Sequence, residues 1–517
     1  MLNIIDYLLD RITMYKLVLY VLIALLGIAG VGSILGFIHY SLIQIAVSTA
    51  MILVSCLITN AIFAYVFEAP TNSDSVYITA LILALIVSPI NFPSSFGFLN
   101  IDAFVKLAIP IIWIAIWSMA SKYILARKKK HIFNPAAVAV AISSFFLGVA
   151  ASWWVGNAFM MPFVLVGGLL IMRKLRRVDM LFSFFLAACI TIFAFGVQNN
   201  ADLFSLFSKV FLQTSMFFFA FIMLTEPLTA PATKTMQIIY AIIVGVLFAP
   251  QVHWGSVSST PELALMVGNI FAYVVSSKEK LFLHLKEKIQ VTPDLVDFVF
   301  PLNNSFRFTP GQYMEWTLPH SGVDSRGNRR YFTIASSPTE SELHLGVKFY
   351  PEGSSFKKNL LSLTSQQTVV GAALAGEFTL PKDSQKKLVF IAGGIGITPF
   401  RSMVKYLIDR NENRDMVLLY AVKQPQEAIY HEIFEEGKKI GLKTIYTITD
   451  PASVPQGWTG QTGRVSKEMI MQTIPDYTER KFYLSGPHAM VNGYEAVLKD
   501  MGIKKGQIKI DFFPGFV

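Results

Sequence analysis

Residues 14–277 form an almost unbroken series of apolar runs, and a chain with that pattern is built for a lipid bilayer. Runs of spanning length fall near 14–37, 42–66, 76–92, 100–122, 135–152, 155–172, 178–196, 203–225, 234–250 and 262–277. A hydrocarbon core about 30 Å thick takes about 20 apolar residues per helical crossing, so the runs read as ten spans. Over the whole chain 53% of residues are hydrophobic and 15% charged, too apolar for a soluble protein of this size.

Charge orients the spans. The formal net charge of +10 gathers most densely in Arg127-Lys-Lys-Lys130 and Arg173-Lys-Leu-Arg-Arg177, each between two apolar runs. Such clusters are cytoplasmic anchors rather than a nucleic-acid surface. The connections expected on the other side, His39–Ser41, Asn91–Leu99, Val197–Asp202 and Gln251–Thr260, contain no Lys or Arg. An even number of spans follows, multi-pass in the cell (inner) membrane, with the N-terminus and everything after Lys278 cytoplasmic. Met1–Lys16 carries Asp6, Asp10 and Arg11 and does not read as a cleavable signal. Cys56 and Cys189 lie inside apolar runs, which argues against a disulfide framework and against an iron–sulfur cluster, since that needs grouped thiolates. His39, His131 and His253 stand near predicted span ends, so haem held by facing histidines is not expected.

Two runs are irregular. The third, Val76-Tyr-Ile-Thr79 through Ile86-Val-Ser-Pro89, is short and ends in proline. The eighth passes through Gln213-Thr-Ser215 to Thr225-Glu-Pro227. Divided as five plus five, the ten spans place these two at matching positions, the pattern of an inverted repeat with a binding site near mid-membrane. Proline merely ending each helix accounts for the same residues about as well.

After residue 280 the pattern becomes one of strands and turns. Arg329-Arg-Tyr-Phe-Thr-Ile-Ala-Ser-Ser-Pro338 is an aromatic and β-branched run with guanidinium groups at its start and small hydroxyls at its end. Arg330 offers a fork of donors suited to a pyrophosphate, Phe332 an aromatic face, and Thr333 and Ser336 short hydroxyl donors. Phe308-Thr-Pro-Gly-Gln-Tyr313 turns the chain before it, and Gly353-Ser-Ser355 follows. Lys387–Ala392 is a short apolar strand running into Gly393-Gly-Ile-Gly396, with a helix expected from Pro399. Glycines there let the backbone approach a pyrophosphate, whose charge a helix N-terminus favours. Tyr483-Leu-Ser-Gly-Pro-His-Ala-Met490 completes an ordered set that resembles the ferredoxin–NADP⁺ reductase family over roughly residues 280–517.

That resemblance implies an antiparallel β-barrel holding FAD at 278–384 and an α/β nucleotide-binding domain at 385–517. It assigns FAD to Arg330, Phe332, Thr333, Ser336, Lys348, Gly353, Ser354 and Ser355. The nicotinamide nucleotide falls to Gly393, Gly394, Gly396, Thr398, Pro399 and Gly486. Thr333, Ser485 and Asp511 are the implied catalytic residues; Ser485 replaces the cysteine of many relatives. Phe513 is implied to cover the flavin, and a buried C-terminal strand explains Asp511–Phe516 equally well. NADH and NADPH are not distinguished, Lys423 reading more readily as a solvated lysine than as a 2′-phosphate ligand.

Ser73-Asp-Ser-Val-Tyr-Ile-Thr-Ala-Leu81, His131-Ile-Phe-Asn-Pro-Ala136, Phe219–Thr229 and Gly268-Asn-Ile270 carry a second resemblance, over roughly residues 20–277. They look like the D subunit of the Rnf complex and the B subunit of the Na⁺-translocating NADH:quinone reductase. In that family a threonine carries FMN through a phosphoester bond; the spacing from Thr225 puts Met216 in that register, with Thr214 and Ser215 beside it. Met cannot form the bond, so a non-covalent FMN or riboflavin is expected, with Asn134, Thr214, Thr225 and Glu226 near it. The function implied is a diaphorase-type oxidoreductase moving electrons from cytoplasmic NAD(P)H through FAD to a membrane flavin, and on to a quinone, flavin or extracytoplasmic flavoprotein. Two alternatives stand beside it: a redox-coupled ion pump, and a membrane-anchored reductase acting only on the cytoplasmic side. Glu226, Lys106 and Lys209 lie near span ends and do not single out the pump.

Overall fold

The computed structural model describes residues 5, 9, 12–68, 73–91, 101–127, 130–212, 215–255, 257–276, 280–302, 306–324 and 326–511. The chain divides into two units with the boundary between Lys280 and Leu281, and each is described by itself.

In the first unit every one of the ten apolar runs holds helix. The helices are α1 (Met14–Ile34), α2 (Leu42–Val66), α3 (Ser73–Ile86), α4 (Ile101–Ile124), α5 (Pro135–Leu147), α6 (Met161–Leu175), α7 (Val178–Gln198), α8 (Leu203–Leu212), α9 (Lys234–Leu247) and α10 (Pro261–Val275). Four of the starts follow from short polar side chains placed just before apolar residues. Thr13 caps α1, Ser41 and Gln44 form a capping box on α2, and Thr260 caps α10. Asn134 caps α5, with Pro135 in the first turn, where its missing N–H costs nothing.

Ten spans and a five-plus-five repeat were expected; by length and composition four helices qualify to cross a bilayer, α1, α2, residues 105–124 of α4, and α7. A fifth qualifies if α8 and the helix Met216–Leu224, bent from it by 51°, count as one. The other runs hold helices of 10–17 residues, and α3 and α5 stop just before Pro89 and Gly148. Within Met216–Leu224, residues Phe219–Leu224 are π-helical, and every residue of the segment is buried. Such a segment is often found at functional sites.

The short third run shows how these loops are tolerated. Where α3 stops at Ile86, the carbonyl of Ile86 accepts from the N–H groups of Ser152 and Trp153, and that of Leu85 from Val155. The Trp154 indole N–H donates to Ala84 at 3.0 Å. Irregular backbone at membrane depth is stable only where protein satisfies it, and residues 152–155 do so here.

The second unit begins with β1 (Leu281–His284), β2 (Glu287–Thr292), β3 (Leu295–Pro301), β4 (Tyr313–Thr317), β5 (Arg329–Thr333), β6 (Glu342–Lys348) and β7 (Thr368–Ala375). They form two antiparallel sheets, ordered β6-β3-β2 and β1-β7-β4-β5. The sheets share a core that includes Phe298, Phe300, Trp316, Phe332, Leu345 and Phe356. Each such side chain contributes roughly 1.5–3 kcal/mol on burial. The turn predicted at Phe308–Tyr313 is present: Gln312 N–H donates to the Thr309 carbonyl at 3.1 Å.

A six-stranded sheet follows, built from β8 (Leu388–Gly393), β9 (Met416–Val422), β10 (Leu442–Ile448), β11 (Gln461–Thr462), β12 (Lys481–Ser485) and β13 (Ile508–Ile510). Its order is β11-β10-β9-β8-β12-β13, parallel throughout. The near-continuous burial of β8 and β9 is that of strands covered on both faces. Because β8 pairs with β9 on one side and β12 on the other, the strand order reverses beside β8, where open α/β sheets bind ligands. The helix α12 (Thr398–Asp409) leaves this point and ties the two parts of the unit together. Its Arg401 meets Glu340 twice, at 2.5 and 2.9 Å, and donates to the Ala335 carbonyl at 3.0 Å. The Ser402 hydroxyl donates to the Ser336 carbonyl at 2.5 Å.

Candidate functional site

Thr333, Ser485 and Asp511 are separated by up to 178 positions in sequence and meet in the fold. The Ser485 hydroxyl donates to Asp511 Oδ2 at 2.9 Å, and the Thr333 hydroxyl reaches the same oxygen at 3.5 Å. Asp511 is fixed by its own N–H, which donates to the Leu484 carbonyl at 2.9 Å. The end of β5 and the end of β12 are thereby brought to one carboxylate. Beside them the loop after β8 presses on the turn after β12. A Cβ added to Gly396 would stand 2.4 Å from the Ser485 carbonyl oxygen, and one added to Gly486 would stand 2.5 Å from Met490 Cε. Gly393 opens this loop, Gly394–Ile397 form a tight helical turn, and Thr398 and Pro399 occupy the first turn of α12. The Thr398 hydroxyl donates back to Ile395 at 3.2 Å.

A second group gathers around Arg330, which is 1% exposed. Its Nη1 donates to the carbonyls of Arg326, Gly327 and Arg329, and its guanidinium lies over the Phe356 ring at 5.3 Å. Phe332 packs on the same ring, centroids 6.1 Å apart. Ser354 caps the short helix α11 (Ser355–Leu361). The Ser355 hydroxyl accepts from Asp324 N–H at 3.0 Å while Asp324 Oδ2 accepts from Ser355 N–H at 2.8 Å, which holds the Arg326 loop against this corner. Gly353 N–H donates to Tyr350.

Two expected cofactor residues are engaged elsewhere. The Ser336 hydroxyl accepts from His344 N–H at 2.6 Å, which fastens the segment after β5 to β6 and leaves its own O–H to donate. Lys348 forms ion pairs with Glu427 at 2.8 Å and Asp294 at 3.3 Å, because a cation this far buried needs carboxylates close by. Phe513 and Thr214 lie outside the described residues.

In the helical unit three of the sequence motifs converge. Asn134 Nδ2 donates to Glu226 Oε2 at 2.9 Å, as does the Thr229 hydroxyl. Asn134 N–H donates to Asn269 Oδ1 at 2.8 Å, and Arg177 donates to the Thr225 carbonyl at 2.9 Å. Asn134 Oδ1 is taken by Ala136 and Ala137, and the Thr225 hydroxyl by the Phe221 carbonyl. The groups expected to hold a flavin therefore largely satisfy one another. That arrangement does not fit a flavin held by Asn134, Thr225 and Glu226.

Residues 90–280 match the NQR2, RnfD, RnfE family, residues 282–379 the oxidoreductase FAD-binding domain, and residues 390–496 the oxidoreductase NAD-binding domain. The chain fuses an NQR2/RnfD/RnfE-family domain to an FAD- and NAD-binding oxidoreductase. Among curated proteins the fusion is similar to the glycine betaine monooxygenase reductase subunit of Chromohalobacter salexigens, 29% identical over 223 residues, covering 41% of this chain and 59% of that one. It is also similar to the flavohemoprotein of Bacillus anthracis, 29% identical over 219 residues, covering 40% of this chain and 53% of that one. The fusion thus spans little more than half the length of these relatives. Among solved structures, cytochrome P450 reductase GcoB of Amycolatopsis is similar at 21% identity and a TM-score of 0.40, covering 46% of this chain and 71% of that one.

The Arg330 corner of the fusion gathers cations that would suit the pyrophosphate of FAD. Lys357, which the sequence reading passed over, stands here, its ammonium on the Lys348 carbonyl at 3.0 Å and near the Tyr350 ring. Burial, with Arg330 and Arg326 beside it, brings the Lys357 amine down to about 8 from an ordinary value of 10.5. Burial likewise lowers the Arg330 guanidinium to about 10. Cations crowded in this way favour an anion. An FAD pyrophosphate would raise the Lys357 value again, so binding takes up a proton above about pH 8. FAD affinity should therefore be full below that pH and fall as pH rises through it, by at most about tenfold per unit. FAD titrations across this range check it, with Lys357→Met expected to bind more weakly and without the pH dependence. A flat profile in the unaltered protein would remove Lys357 from the site.

Proposed function

We propose that this protein is a membrane oxidoreductase that draws electrons from NAD(P)H through FAD and passes them, by way of its helical unit, to a quinone or an acceptor on the other side. Residues 278–384 are taken as the FAD part, 385–517 as the nucleotide part and 1–277 as the membrane part. FAD, when bound, supplies the hydride acceptor and the release of electrons onward. The chain's own residues do the placing. Arg330 and Lys357 hold the pyrophosphate of FAD, and the Gly393–Gly396 loop with α12 receives that of the nicotinamide nucleotide. Asp511 ties Thr333 on the flavin side to Ser485 on the nicotinamide side, so the reacting rings are set by one shared carboxylate.

The observation that carries the membrane half of this reading is the construction of residues 84–86, 152–155 and 216–224. A mere anchor has no use for irregular backbone satisfied inside a helical unit, whereas a path or site within it does. A non-covalent FMN or riboflavin belongs to the proposal as the carrier suggested by the family match. No step is assigned to it, since Asn134 and Glu226 are bonded to each other and Thr225 to Phe221 and Arg177. Coupling to ion movement is a second reading, favoured by the Lys122 amine within the helices, which donates to Ser75 O and Oγ at 3.1 and 3.2 Å.

The test uses the full chain in sealed vesicles with NAD(P)H on the reductase side and ferricyanide, which does not cross, trapped inside. Reduction of the trapped acceptor is expected. Reduction confined to acceptor on the nucleotide side would overturn trans-membrane transfer and leave an anchored reductase.

A further inference from the structure

The edge strand β13 is three residues long, yet it delivers Asp511 to hydroxyls on two other elements. A strand so short at the border of a sheet is where local opening is expected, since few bonds hold it. Its register with β12 pairs Phe482 with Ile508, Tyr483 with Lys509 and Leu484 with Ile510. Side chains alternate between the two faces of a strand. Ile508 and Ile510 accordingly pack with Phe482 and Leu484 on one face. Lys509 and Asp511 share the other face with Tyr483 and Ser485, and the Lys509 ammonium lies 5.6 Å from the centre of the Tyr483 ring.

The Lys509 ammonium is engaged with main chain rather than left in water. It donates to the carbonyl of Glu377 at 2.8 Å and to that of Thr379 at 3.1 Å, 132 and 130 positions earlier in the chain. The Tyr483 hydroxyl donates to the same Thr379 carbonyl at 2.9 Å. Burial and the charge of Lys481 pull the Lys509 amine below the ordinary lysine value, so this ammonium has traded part of its hydration for the two carbonyls. A lysine that only guarded a sheet edge would point its charge into solvent.

Residues 376–379, which receive these bonds, are fastened from the flavin side as well. Gln312 Nε2 donates to the Gly376 carbonyl at 3.4 Å. A Cβ added to Gly311 would stand 2.0 Å from the Phe378 carbonyl oxygen, so only glycine lets the connection lie this close. The Gln312 carbonyl in turn accepts at 3.0 Å from the N–H of Ile334, the residue next to Thr333. The contacts close into a ring that runs from Thr333 through Ile334, Gln312, residues 376–379 and Lys509 to Asp511, and back to Thr333. One arc holds Thr333 and the other holds Asp511, both against the same four residues.

We infer that Lys509 is a positioning residue for hydride transfer: by seating β13 on residues 376–379 it sets how far Asp511 stands from Thr333. The inference rests on the proposed role of Asp511 as the carboxylate shared by the flavin and nicotinamide sides, and adds the residue that aims it. At 3.5 Å the contact between Thr333 and Asp511 is at the outer limit of a hydrogen bond. It is therefore the contact that a small retreat of β13 breaks first, while the 2.9 Å bond from Ser485 within the same sheet survives. Misplacement by about 1 Å can cost about a hundredfold in rate.

The test uses the full-length, FAD-loaded protein and stopped-flow reduction of its flavin by NADH and by NADPH, each with and without deuterium at the transferred position. Lys509→Met should slow the transfer step about tenfold or more, with the isotope effect fully expressed. The KM for the nucleotide should stay within about twofold of the parent, the signature of a contact that matters in the transition state. Lys509→Arg, whose fork of donors can serve both carbonyls, should restore most of the rate. In a double-mutant cycle the losses from Lys509→Met and Asp511→Asn should overlap rather than multiply, because both remove one carboxylate from its place. A lysine that merely stabilised the fold would lower the melting temperature and leave the two losses independent. Thermal melts establish that each variant folds; if Lys509→Met does not, Lys509→Gln, with its shorter neutral donor, takes its place in the cycle. A rate for folded Lys509→Met within about twofold of the parent, or losses that multiply, overturns the inference. An Asp511→Asn protein that transfers hydride at the parent rate overturns the role of Asp511 and the inference with it. A slow Asp511→Asn protein beside an unaffected Lys509→Met protein overturns the inference alone.

Discussion

Glu340→Ala should destabilise the reductase unit by about 3–5 kcal/mol, the usual cost of leaving a buried charge without its partner. Arg401 is 5% exposed, and its two parallel bonds to Glu340 form a bidentate pair, which is the strong form of this contact. Burial pulls the Arg401 guanidinium down, but Glu340 beside it outweighs that and holds it above its ordinary value. The loss should show in denaturant melts followed by flavin fluorescence, while the helical unit's far-ultraviolet signal is retained. Replacing both partners together with Arg401→Met should recover much of the loss, because no stranded charge remains. A Glu340→Ala protein within about 1 kcal/mol of the parent would mean that the Ala335 carbonyl and solvent suffice for Arg401.

Arg330→Ala should weaken FAD retention by roughly ten- to a hundredfold, corresponding to about 1.5–3 kcal/mol for a charge-assisted bond to phosphate. The guanidinium also fastens the Arg326–Arg329 loop by three carbonyl contacts, so Arg330→Lys separates the two roles. Lysine keeps the charge and loses the fork; it should retain more FAD than alanine and still melt earlier than the parent. Full FAD occupancy in purified Arg330→Ala protein would refute the pyrophosphate assignment.

Much of this architecture could be read from residue order. Caps such as Ser41 and Asn134 depend on local spacing alone and are therefore legible in residue order. The Pro-Gly turn at 308–313 and the glycine loop after β8 were legible for a similar reason: each needs a particular residue type at a particular place. What escaped depends on distant partners. The bond from His344 N–H to Ser336 and the pairing of Lys348 with Glu427 and Asp294 could not be read from spacing. Hydropathy likewise counts apolar residues and not backbone geometry, so it could not show that Phe219–Leu224 would wind as a π-helix, nor that α3 would hand its last carbonyls to residues 152–155. Phe356 and Lys357 were detectable, an aromatic and a cation directly after Gly353-Ser-Ser355, but proximity to the motif was not used.

The clamp from α12 onto the segment 335–340 bears on motion. Two adjacent side chains, Arg401 and Ser402, hold the end of the flavin-side strand by bonds that bury their donors. A hinge between the two parts would have to break all of them at once. The nicotinamide nucleotide then has no opening jaw to enter. Admission of a nucleotide would call for rearrangement of a small local group rather than for a hinge that opens the whole unit.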